Sequence, residues 1–107
     1  MKVDPILKLK VGEILPIVQK IAPGKSVELR IPSYSAIQFI SGSVHRRGTP
    51  SNVVEMSAQT LINLAENPYK WEELCTIGRI SALGTNSNLK ELFIQISTLK
   101  QKSRLEI

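Results

Sequence analysis

The side chains able to do chemistry in this sequence are few, and their spacing does not favour catalysis. His45 is the single histidine, and Ser43 and Ser57 are the nearest hydroxyls that it could activate. No nucleophile elbow and no triad order surrounds them, so the pairing has no catalytic signature. Glu55, Glu66, Glu72, Glu73 and Glu91 offer carboxylates, but with His45 they form no metal-ligand spacing. Glu72 and Glu73 are adjacent and so do not share a helix face, which reads as a solvated acidic edge. Cys75 is the only cysteine, so it has no partner for an internal disulfide and cannot alone build a structural zinc site. It falls in a helical apolar pattern, which favours an inert thiol over a nucleophile, with an oxidisable thiol near a cavity as the lesser reading. The expectation is no catalytic residue, no metal site and no cofactor.

His45-Arg46-Arg47 is the one local cluster suited to binding. Guanidinium donors are directional and always charged, so the cluster can hold a phosphate, a carboxylate or a lipid headgroup. Gly48 permits an unusual backbone conformation, and nearby amides could form a small anion nest. Thr49-Pro50-Ser51-Asn52 lacks the glycines and the Lys-Ser/Thr pair of a phosphate-binding P-loop. The competing reading is a rigid connection in which Arg47 contacts Glu55 or a backbone carbonyl.

Fourteen Lys and Arg against nine Asp and Glu give a formal charge of +5. That sign suits nucleic acid, acidic protein or anionic lipid without choosing among them. Lys8, Lys10, Arg46, Arg47, Lys100, Lys102 and Arg104 could meet phosphates, but Tyr34, Phe39, Tyr69, Trp71 and Phe93 are not interleaved with them as a stacking track. Nucleic-acid binding is therefore ranked third. There is no apolar run of membrane-spanning length, and the first residues lack the pattern of a signal peptide. A cytoplasmic location is the default. Residues 14 to 21 carry an apolar face without a strongly basic one, which favours core docking over a membrane surface.

The elements that must position these groups follow from periodicity. The chain has 107 residues, of which 42% are hydrophobic, enough for one domain with a modest core. Asp4-Pro5 reads as a helix start, with a stop near Gly12. Ile14, Ile17, Val18 and Ile21 form a second helical face in which Pro16 marks either a new start or a bend. Ala22-Pro23-Gly24 is a turn. Val27, Leu29 and Ile31 alternate with polar residues as a strand interrupted by Pro32-Ser33, and Tyr34 to Ile40 reads as a more central strand whose short link through Ser41-Gly42-Ser43 suggests an antiparallel neighbour. Residues 44 to 47 read as a short strand, and 52 to 56 as another. Ser57 caps a helix carrying Ala58, Leu61, Leu64 and Ala65, ended by Asn67-Pro68. Trp71, Leu74 and Cys75 mark a short helix with Gly78 at its end. Residues 79 to 83 alternate as a strand. Leu89, Leu92, Phe93 and Ile96 fit a helix, while the β-branched Ile94, Ile96 and Thr98 leave a strand as the alternative. Residues from about 100 to 107 read as a flexible basic tail. The sum is an α+β domain with helices layered on one side of a sheet.

Three segments carry a family resemblance. Arg47-Gly48-Thr49-Pro50-Ser51-Asn52-Val53-Val54-Glu55 is similar to the RGTPxNVVE segment of the bacterial sterol-carrier-protein-like family. Gly78-Arg79-Ile80-Ser81-Ala82-Leu83-Gly84 resembles its GR(V/I)SAxG element, preceded by the helix residues Leu61, Leu64 and Ala65 and by Trp71. Residues 23 to 32 resemble its PGxxVExRxP opening. Asn67-Pro68 replaces a glycine usual after the first paired helix and keeps a turn there. The resemblance implies an SCP2-like fold, a curved and mostly antiparallel sheet packed against helices. It also implies a lipid cavity between those layers, or an adaptor role beside an enzyme, as in related domains attached to mycothiol-dependent enzymes.

On that footing the expected function is noncatalytic binding of a lipid or other hydrophobic small molecule. The candidate walls are Ile37, Phe39, Leu61, Leu64, Trp71, Leu74, Leu89, Leu92 and Phe93. Core packing asks for these same residue types, so each also has a purely structural reading. For Trp71 a polar ligand head near the indole N–H is the functional alternative. His45, Arg46 and Arg47 are the headgroup candidates, with Gly48, Thr49, Pro50, Asn52 and Glu55 as structural parts of the loop motif. The leading alternative is a structural or protein-interaction domain with a filled core.

Overall fold

A computed structural model describes residues 3–24, 26–40, 52–85 and 87–105. Its order is α1 (Pro5–Ile21), β1 (Val27–Ile31), β2 (Ser35–Phe39), β3 (Asn52–Met56), α2 (Ala58–Glu66), a 3-10 turn (Pro68–Lys70), α3 (Trp71–Thr76), β4 (Ile80–Leu83) and α4 (Lys90–Leu105). The expected strand at 44 to 47 lies outside the described residues.

Asp4 starts α1 as expected, its Oδ1 accepting from the amides of Ile6 at 2.8 Å and Leu7 at 3.3 Å. The expected stop near Gly12 does not occur. One helix runs from Pro5 to Ile21 with Pro16 inside it. A proline within a helix costs about 3 kcal/mol. Val11, Ile14, Leu15 and Val18 are all buried by keeping the helix whole, and each such side chain contributes about 1.5–3 kcal/mol. Tertiary burial therefore outweighs the local penalty.

The sheet is four-stranded in the order β2-β1-β3-β4, so β2, expected from its apolar residues to be more central, is an edge strand with only Phe39 fully buried. β1 and β2 pair antiparallel with Leu29 opposite Ile37, and β3 and β4 pair antiparallel with Val54 opposite Ala82. The central pair, β1 and β3, is parallel. The β1–β2 hairpin closes through Pro32 and Ser33, whose φ of 70° leads the Tyr34 amide back to the Ile31 carbonyl at 2.9 Å. Val27, Leu29, Ile31, Val54 and Met56 point to the helices and are buried, whereas Glu28, Arg30, Glu55 and Ser81 share the opposite face. Arg30 pairs with Glu28 on that face.

Asn52, the first residue of β3, is buried and donates from Nδ2 to the Ser26 carbonyl at 3.0 Å. Ser26 in turn donates from Oγ to the Ile40 carbonyl at 2.7 Å. These bonds fasten the start of β3 to the β1–β2 hairpin.

Ser57 caps α2 by accepting from the Thr60 amide at 3.1 Å. α3 ends at Gly78, whose φ of 79° suits glycine. The Arg79 amide bonds to the Leu74 carbonyl at 2.9 Å and the Gly78 amide to the Cys75 carbonyl at 3.2 Å, a Schellman ending. α4 is a helix throughout, so the strand alternative for 94 to 98 is not realised. Thr98 bonds back from Oγ1 to the Ile94 carbonyl at 2.9 Å, a satisfaction that helical geometry provides. The backbone stays helical through Leu105, into the stretch read as a tail.

Candidate functional site

Most of the expected ligand wall packs against itself. Phe39, Leu61, Leu64, Trp71, Leu89, Leu92 and Phe93 all belong to the buried core, and Ile37 and Leu74 are half-buried at its edge. The rings of Trp71 and Phe93 stack with centroids 6.4 Å apart. The space between sheet and helices is thus occupied by side chains at these positions. Ile37 borders a small surface groove of about 280 Å³ with α1, and Leu74 borders one of about 430 Å³ with Asn63, Lys70 and Glu73. His45, Arg46, Arg47, Gly48, Thr49 and Pro50 lie outside the described residues. Glu55 is exposed on the outer sheet face, in register with Arg30 and Ser81.

A larger apolar concavity than these two lies elsewhere, between α1 and α4. It encloses about 710 Å³ and is lined by Glu13, Ile14, Ile17, Lys20 and Ile21 from α1 and by Leu99 and Lys100 from α4. Its origin is in the helix packing. α1 and α4 both lie against α2 and meet each other over only a short stretch. An unbroken α1 then presents two flanks. Val11, Leu15 and Val18 face the core, and Ile17 and Ile21 fall roughly a quarter-turn round the helix toward α4. Ile17 and Ile21 are half-buried, and Leu99 is 48% exposed. The lysines and Glu13 supply polar points on an otherwise aliphatic lining.

Sequence reasoning assigned Ile14, Ile17 and Ile21 to the core and did not single out Leu99 as a wall. The missed signal was angular. Once Pro5 to Ile21 is drawn as one helix, its apolar residues spread too widely for a single buried stripe.

The titratable groups outside this groove have structural explanations. Lys90 Nζ lies 2.8 Å from Glu72 Oε1 and 5.8 Å from the Tyr69 ring centroid. The Lys90 hydrogen bond holds the Glu72 carboxyl below its ordinary range, and the same bond raises Lys90. Burial pushes the Cys75 thiol up, and the Glu72 charge adds to it. Among the described residues no three His, Cys, Asp or Glu side chains gather as metal ligands, and no helix is long and apolar enough to cross a membrane.

Residues 6–94 match the family model described as bacterial SCP ortholog. Among solved structures, one titled "UbiJ-SCP2 Ubiquinone synthesis protein" superposes with a TM-score of 0.54 at 13% identity, over 94% of this chain and 96% of that one. At that identity the likeness concerns the fold. No curated protein matches the chain.

Proposed function

We propose, from the premise that this chain belongs to the bacterial sterol-carrier-protein ortholog family, that it binds a hydrophobic small molecule without catalysis, in the groove between α1 and α4. One observation carries the reading. The groove encloses about 710 Å³ against Ile14, Ile17, Ile21 and Leu99, a volume in the ordinary range for small-molecule sites. An alkyl or polyisoprenoid chain laid there would leave water on one side and gain burial against aliphatic carbon.

This moves the guest from the space between sheet and helices to the seam between two helices. The packing of Phe39, Leu64, Trp71 and Phe93 supports that move. The same packing is also what a purely structural or protein-interaction domain would have, and the open groove is the feature that separates the two readings.

Native mass spectrometry of gently purified protein, before and after delipidation, tests the proposal. Retained lipid that rebinds in fixed stoichiometry, and that Ile17→Asp abolishes in folded protein, is the expected result. Protein that neither retains nor rebinds any of a varied panel of hydrophobes would refute it.

A further inference from the structure

The polar points of the groove are not symmetric, and their asymmetry names a class of guest. Lys20 lines the groove from α1 and Lys100 from α4, so each helix contributes one lysine to an otherwise largely aliphatic lining. Among the described residues neither has a carboxylate within ion-pair distance; the ion pairs there are Arg30 with Glu28 and Lys90 with Glu72. Glu13 is the one acidic group among the described lining residues. It sits seven residues before Lys20 on α1, about 10 Å along the helix axis. That separation exceeds the screening length of roughly 8 Å at physiological salt.

We propose that this groove selects an amphiphile with a single anionic headgroup, a carboxylate or phosphate held by Lys20 and Lys100, its alkyl chain lying against Ile17. The proposal rests on the hydrophobic-guest reading above and adds the headgroup and its orientation. One local field opposes it. The C-terminal end of α1 carries a partial negative charge of about half a unit near Lys20. Two full positive charges exceed it, and ammonium groups bind such anions through short charge-assisted hydrogen bonds. Glu13 repels the same headgroup from the far end and so favours one direction of entry.

Titration calorimetry with dodecanoate, dodecyl phosphate, dodecan-1-ol and inorganic phosphate, at low and high salt, tests both layers. The two anionic amphiphiles are expected to bind about tenfold more tightly than the alcohol at low salt. That gap should close in the Lys20→Met, Lys100→Met double variant through loss of affinity for the two anionic probes. Ile17→Asp should abolish binding of every alkyl probe. Equal affinity for alcohol and anions would overturn headgroup selection and leave the hydrophobic reading standing. No binding of any alkyl probe would overturn both. Inorganic phosphate binding as tightly as dodecyl phosphate would make this a small-anion site. Sedimentation with phosphatidylglycerol vesicles, with monomeric probes unbound, would make it a membrane-docking face. Each of those two results would also overturn the proposal.

Discussion

Replacing Trp71 with alanine separates a core role from a ligand-wall role. The side chain is 3% exposed and stacks on Phe93, which is itself fully buried. Truncating a buried tryptophan costs about 3–5 kcal/mol, of which the ring pair accounts for roughly 0.5–1.5. A domain of this size has a total stability of about 5–15 kcal/mol. Trp71→Ala should therefore fold but with much of its margin gone, its melting temperature down by about 12 °C or more. Urea unfolding followed by far-ultraviolet circular dichroism gives the loss directly. Trp71→Phe, which keeps a ring against Phe93, should fall between the variant and the parent. Binding of dodecan-1-ol by the folded fraction should be unchanged, because Trp71 does not line the α1–α4 groove. Near-native stability together with a lost binding constant would refute this reasoning and put Trp71 on a ligand wall.

Five further outcomes follow from local geometry. Gly12→Ala should stabilise by about 0.5–1 kcal/mol, since Gly12 lies inside α1 and an added Cβ meets nothing within 4 Å. Gly78→Ala should destabilise by about 1 kcal/mol despite similar open space, because φ is 79° there; equal signs in thermal melts would contradict both. Ser26→Ala should cost about 0.5–1.5 kcal/mol in chemical denaturation by removing the hydroxyl's bond to the Ile40 carbonyl, which keeps the residue 26 amide as a donor, and no loss would remove that tie from the account. For the Glu72–Lys90 pair, the depressed carboxyl contributes stability above its unfolded value and loses it as pH falls through the folded one. The raised Lys90 contributes below its own unfolded value and loses it as pH rises through the folded one. Lys90→Met should raise Glu72 toward the usual range in an NMR titration, and an unmoved Glu72 would deny the pairing. Cys75 should alkylate more slowly than free cysteine at neutral pH, since burial raises it, and an equal rate would overturn that.

Local grammar carried the fold well. Asp4, Ser57 and Gly78 act at helix ends as their residue types demand, and the alternation at Val27, Leu29 and Ile31 gives the buried face of β1. The parallel pairing of β1 with β3 was not legible, because register between strands separated by residues 32 to 51 depends on tertiary contacts and not on period. Pro16 misled for the opposite reason. Its local cost is real, but burial elsewhere on the helix outweighs it. The groove was hidden by the same misreading: a broken α1 has one apolar face per piece, and a continuous one has two flanks.

The size of the domain bears on why Phe39, Leu64, Trp71 and Phe93 pack into one core while the concavity between α1 and α4 is open. An empty internal void of about 710 Å³, the volume of the α1–α4 groove, would cost about 17 kcal/mol at 24 cal/mol per Å³. That exceeds the whole stability expected of such a domain. A chain this short can keep a dry internal chamber only when a guest fills it. Space between two helices on the surface carries no such cost, because water occupies it until an apolar molecule displaces it. The unbroken α1 supplies that space by setting Ile17 and Ile21, half-buried, at the edge of the core while Val11 and Val18 stay within it. A substitution that breaks α1 at Gly12, such as Gly12→Pro, should therefore abolish guest binding and destabilise the core together. Loss of one without the other would show that the two flanks are not coupled through the helix.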